Sequence, residues 1–200
     1  MKKPILILIT IFFVTTVFSQ SLIHPDILTT EWDAKWIAVP DESANGYGVY
    51  LFRKTLDLHT VPASFVVHVS ADNRYKLFVN GKLISVGPAR GDFYYWNFET
   101  VDLAPYIVAG KNIIAAQVCN EGDLRPEAQI SWRTGFILQG NTPAEAGINT
   151  NDSWKCIRDD SYQPLSSPEV IGYYVTGPGE FIEMKLHIRD WQNPGFNDTS

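Results

Sequence analysis

The residues that could do chemistry are plentiful but poorly patterned. Twenty-two Asp and Glu residues can always supply a pair of carboxylates for acid/base cleavage of a glycosidic bond, so their presence decides nothing. A nucleophilic serine would need a G-x-S-x-G elbow, and the chain has none. His24, His59, His68 and His187 are scattered without metal-ligand spacing, and Cys119 and Cys156 form no C-x-x-C. "GYGVYL" is two glycines short of a dinucleotide loop and leads into a strand. No catalytic motif and no catalytic residue emerges.

Binding chemistry is better represented. Asp72 and Asn73, at a strand start, have the oxygen types that bind Ca²⁺ in jelly-roll modules. Capping of local backbone amides is the preferred reading, which leaves no required metal or cofactor. The loop "GPARGDFYYWNFET" gathers Arg90, Asp92, Tyr94, Tyr95 and Trp96, and "EGDLRPEAQISW" adds Asp123, Arg125, Glu127 and Trp132. Donors, acceptors and flat rings are what a sugar site needs, because ring faces stack on apolar sugar faces. Each loop could equally fold its rings back over a core; the two together favour carbohydrate binding. Six Trp and 13% aromatic residues suit both uses.

These groups must be positioned by strands. "AKWIAVP", "GVYLFRKTLDL" and "SFVVHVSA" alternate as strands do, with Tyr50, Phe52 and Leu56 on one side and Arg53 and Thr55 on the other. Tyr75, Leu77 and Val79 alternate with Lys76 and Phe78, then Asn80-Gly81 signals a two-residue type I′ hairpin returning through Lys82–Val86 to Gly87-Pro88. "VDLAPYIVAGKN" reads as a connection, and "IIAAQVCN" as a central strand buried on both faces. "SWRTGFILQG", "SWKCIRD", "EVIGYYVTG" and "FIEMKLHI" supply further strands. With almost no helical periodicity, this spacing predicts an all-β, antiparallel jelly-roll sandwich.

Lys2 and Lys3, the apolar run from Ile5 to Phe18 and Val17-Phe18-Ser19 compose a secretory signal, with cleavage expected near Ser19/Gln20. The run is shorter than the ~20 residues of a membrane span. An exported, periplasmic or extracellular chain is expected, with no membrane partner. A net charge of −6 argues against nucleic acid. Export permits a disulfide, but Cys119 and Cys156 lie in apolar strand-like runs, and two buried free thiols are preferred. The expected boundaries are signal 1–20, lead-in 21–31, sandwich 32–188, and 189–200 ("RDWQNPGFNDTS") as the start of a further segment.

In order, "AKWIAVP", "YLFRKTLDL", "ADNRYKLFVNGKLISVGPARGD", "FETVDLAPYIVAGKNIIAAQV", "RPEAQISWRTGFILQG" and "DSWKC" resemble the N-terminal β-sandwich region of bacterial, Bacteroides-type α-L-rhamnosidases of glycoside hydrolase family 78. The hairpin motif also resembles that of β-galactosidase relatives; the ordered set is more specific. The resemblance implies a galactose-binding-domain-like jelly roll and a parent enzyme that inverts at rhamnose with two carboxylates on an (α/α)₆ barrel. No such barrel is encoded in these 200 residues, so no catalytic position carries over. Cys119 stands where the family commonly has an aromatic, which removes a ring-stacking role there. The implied function is a non-catalytic accessory domain that packs beside the catalytic domain and binds rhamnose-containing glycans. A free-standing carbohydrate-binding module and a ligand-free structural domain are the alternatives.

Overall fold

The computed structural model describes residues 22–165 and 176–198. The signal segment and most of "EVIGYYVTG" lie outside the described residues. Among the described residues, a short helix, α1 (Pro25–Thr29), precedes ten strands: β1 (Tyr47–Leu58), β2 (Val66–Asp72), β3 (Arg74–Val79), β4 (Lys82–Gly87), β5 (Glu99–Asp102), β6 (Gly110–Glu121), β7 (Gly135–Gly140), β8 (Lys155–Arg158), β9 (Tyr162–Leu165) and β10 (Gly179–Ile182). They form a five-stranded sheet in the order β4-β3-β6-β1-β8, a three-stranded sheet β5-β2-β7 and a two-stranded ribbon β10-β9. The pairings are antiparallel. The chain is the all-β antiparallel sandwich that its strand spacing predicts.

Alternation decides which residues enter the core. Tyr75, Leu77 and Val79 of β3 are buried, as are Tyr50, Phe52 and Leu56 of β1 and Ile114, Ala116 and Val118 of β6. Facing them are Val67, Val69 and Ala71 of β2 and Phe136 and Leu138 of β7. The hairpin turn is where the sequence puts it. Asn80 and Gly81 both have positive φ (51° and 85°), as a type I′ turn requires, and Val79 pairs with Lys82.

The outer face of the five-stranded sheet is also covered. Val49, Leu51, Ile113 and Ala115 pack with Trp191, and Phe78, Tyr162, Ile188 and Phe196 complete this second cluster. β6 therefore sits between two apolar layers, as its uncharged run predicts. Arg53, on the polar side of β1, is nevertheless buried beneath residues 191–198. Its Nε donates to Asp198 Oδ2 at 2.9 Å, and Nη1 donates to the carbonyls of Trp191 (2.7 Å) and Asn193 (3.1 Å). A buried charge is tolerated when paired and hydrogen-bonded, and Arg53 is both. It ties residues 189–198 to the sheet.

Several expectations are corrected. "AKWIAVP" is no strand; Ile37 alone bridges to Phe136, because the following Pro40 and the loop to Gly46 lift it off the sheet edge. Val101 and Asp102 belong to β5 rather than to a connection, since β2 needs a partner on its free edge. In "FIEMKLHI" only Phe181 and Ile182 are strand; the rest turns so that His187 and Ile188 reach the outer face. "SWRT" is loop, with strand beginning at Gly135. The cysteines are free, as preferred from the sequence, with β1 between their strands, but each is half-buried rather than buried.

Candidate functional site

At one end of the sandwich, three segments surround an open cleft of about 810 Å³, a volume typical of small-ligand sites. Residues 36–44 form one wall, Phe93 and Trp96 another, and residues 132–135 the third, with Tyr50 and Asp72 below. The first wall is clamped to β7: Ile37 and Phe136 exchange backbone hydrogen bonds at 2.9 Å each, and Thr134 N donates to Ala44 O at 2.7 Å. Glu42 Oε2 accepts from Arg158 Nη1 at 2.7 Å, which fixes the wall to β8. Gly135 lets the indole of Trp36 pack close, since an added Cβ would lie 3.0 Å from its Cε3 and the ring would have to shift by a few tenths of an ångström.

Asp72 is the hub. The residue is buried, its Oδ2 accepts from the backbone amides of Trp132 (2.5 Å) and Arg133 (2.8 Å), and its Oδ1 accepts from Asn73 Nδ2 (2.6 Å). Asn73 Oδ1 accepts from Glu121 N at 2.9 Å, and buried Asn120 donates to Thr134 Oγ1 at 2.8 Å. The pair thus caps backbone amides, but 60 and 48 residues away in the chain rather than locally. It fastens the Trp132 loop to the ends of β2 and β6. Ca²⁺ usually takes six to eight oxygens, and among the described residues no group of three or more acidic, His or Cys side chains converges. The donors already on Asp72 and Asn73 make the pair a hydrogen-bond hub.

The aromatic loop is shaped from within. Asp92 Oδ1 accepts from the amides of Tyr94 and Tyr95 at 2.8 Å each, and Asn97 Nδ2 donates to Arg90 O at 2.9 Å. The turn is so tight that a Cβ on Gly91 would stand 2.3 Å from Tyr95 O. Rings consequently project outward, with Tyr94 91% and Tyr95 78% exposed. Phe93 and Trp132 meet edge-to-face at 5.8 Å, as do Trp36 and Trp96 at 6.4 Å.

Of the residues expected to bind sugar, Trp96 and Trp132 line the cleft. Asp92 organises the loop. Tyr94 and Tyr95 stand outside the cleft, exposed. Asp123 and Arg125 close a short 3₁₀ turn, with Arg125 Nη1 donating to Gly122 O at 2.8 Å, and Glu127 is exposed beyond it. The sequence reading missed Trp36, Glu42, Tyr50, Phe93 and Arg133. Trp36 was hidden in an apparent strand; the "PDESANG" that follows was the available loop signal. Tyr50 Oη and Trp96 Nε1 are buried without a hydrogen-bond partner among the described residues. Burial raises the Tyr50 pKa, so the phenol stays protonated.

Arg90 is exposed and does not line the cleft. Burial raises the Glu121 pKa, Arg90 and Arg74 oppose the shift, and Glu180 adds to it. A carboxyl held above its unfolded value favours the fold at low pH, and that contribution is lost as pH rises through the folded value. Glu121→Gln is therefore expected to raise the melting temperature at pH 7. The gain should vanish below about pH 4.5, the ordinary carboxylate value, in paired thermal scans.

Ser161, Asp159 and His187 also meet, but not as a nucleophile relay. Ser161 Oγ (3.3 Å) and Asp159 Oδ2 (3.1 Å) both contact Nδ1 of the same ring, whereas a triad uses both ring nitrogens. Ser161 is also fully buried.

No family model and no curated protein matches the chain. Among solved structures, the chain is similar to the GH78 family rhamnosidase of Bacillus sp. GL1, with a TM-score of 0.73 and 25% identity over 84% of this chain and 18% of that one. This chain resembles one part of a rhamnosidase. The α-L-rhamnosidase of Dictyoglumus thermophilum gives a TM-score of 0.61 at 20% identity, over 84% of this chain and 20% of that one. That of Streptomyces avermitilis, complexed with L-rhamnose, gives 0.53 at 20% identity, over 88% and 15%. The matched region is a fifth or less of each enzyme. The last two likenesses speak for the fold alone.

Proposed function

We propose that this chain is a non-catalytic accessory domain of an exported family 78 α-L-rhamnosidase of Bacteroides type, N-terminal in its parent, that binds rhamnose-containing glycans in the aromatic cleft. The observation that carries the reading is the structural likeness to a segment of a GH78 rhamnosidase, together with a cleft walled by Trp36, Trp96, Trp132 and Phe93. Residues 1–20 act as the export signal, 32–188 as the sandwich, and 189–200 lead toward the catalytic partner. The chemistry of hydrolysis belongs to that partner. Ring faces and the fixed loop supply the binding.

A free-standing carbohydrate-binding module is the second reading, favoured because Phe93 and Trp132, two of the rings that line the cleft, are largely exposed. The two are separated by the mass of the native product. For either, the purified chain is expected to release nothing from an aryl α-L-rhamnoside; sustained turnover that survives further purification would overturn the non-catalytic assignment. Trp132→Ala is expected to weaken rhamnose binding about tenfold, equivalent to about 1.4 kcal/mol. Titration in EDTA and in calcium chloride tests the Asp72–Asn73 pair: equal affinities assign binding to the rings and hub, whereas affinity only with calcium gives the pair a ligand role.

A further inference from the structure

The cleft is not bounded by Trp36 and Trp96. Both indoles also line a second depression of about 450 Å³, whose other walls include Glu31, Trp32, Lys35, Asn97 and Phe98. The two depressions share these two tryptophans and no other residue. The edge-to-face pair, 6.4 Å apart and inclined at 86°, is therefore a saddle between two hollows.

We infer that the hollows form one groove that takes a neutral oligosaccharide, one sugar in the Trp132 cleft and the next across the saddle. This rests on the carbohydrate reading above and specifies its ligand. The second hollow has the mixture that a sugar unit needs. Trp32 is held by its Nε1 donating to Ile27 O at 3.0 Å and packs against Phe98 at 5.3 Å, so it offers a ring fixed in place. Glu31 and Lys35, 3.8 Å apart and largely exposed, set an acceptor beside a donor at the rim. Their charges cancel, which suits hydroxyls rather than a uronate carboxylate. Ser70 contributes shape only, since its hydroxyl donates to Asn97 O at 2.7 Å.

The test is two-dimensional NMR on the full chain, titrated with L-rhamnose and with neutral rhamnose-ended oligosaccharides of two, three and four units. Rhamnose alone should move the Trp132 and Trp96 indole signals. The disaccharide and longer probes should also move the Trp32 indole and the Lys35 amide, and bind at least tenfold more tightly. Trp32→Ala should keep rhamnose affinity and lose the gain with length. If every probe binds as rhamnose does and leaves Trp32 and Lys35 unmoved, the groove is wrong while the carbohydrate reading stands. If no probe shifts any signal, both are wrong.

Discussion

Asp72→Asn is expected to lower the free energy of unfolding by about 2–4 kcal/mol and to release the Trp132 loop, although it changes only one atom. The carboxylate accepts on both oxygens, from two backbone amides on Oδ2 and from the Asn73 amide on Oδ1. An asparagine has one acceptor oxygen. In either orientation its NH₂ confronts N–H donors, so at least one bond to a charged acceptor, about 1.5–3 kcal/mol, is lost and a buried donor is left unmatched. Urea denaturation measures the first effect. Faster amide exchange at Trp132 and Arg133 than at β6 measures the second. A stability change below about 1 kcal/mol would mean that the hub does not hold the loop.

The largest stability effect is expected from Phe136→Ala, about 3–5 kcal/mol. Phe136 is fully buried, stacks on Phe52 at 5.4 Å and 29°, and meets Tyr75 and Trp154 edge-to-face at 6.5 and 5.6 Å. Phe52 and Tyr75 come from two strands of the facing sheet and Trp154 from the loop before β8, so no single neighbour can move to fill the space. The same residue exchanges backbone hydrogen bonds with Ile37. Loss of the ring should therefore weaken sugar binding as well as the core. Phe136→Leu, which keeps most of the volume, should cost less than half as much. Equal midpoints for the two variants in urea would contradict a close-packed core here.

What was legible in the sequence was what local chemistry dictates. Asn80-Gly81 specifies its own turn, and alternation in β3 fixes its inward face. The uncharged run in β6 announces burial on both sides but says nothing of what covers the second side. That cover comes from single apolar residues, Ile188, Trp191 and Phe196, set in polar, turn-rich chain with no period. Arg53 falls on the polar side of β1 as alternation predicts, yet is buried by a partner 145 residues away. The site divides in the same way. Trp96 and Trp132 stand out as aromatics in loops. Trp36 does not, because its neighbours imitate a strand. Asp72 looks like a local cap because its true partners are distant in sequence.

Calorimetric titration of L-rhamnose into the purified chain tests the central claim most directly. The account predicts a saturable heat with millimolar affinity, weak because an open cleft buries little of its ligand, and reduced about tenfold in Trp132→Ala. No heat up to saturating sugar, or a binding curve that Trp132→Ala leaves unchanged, would contradict it.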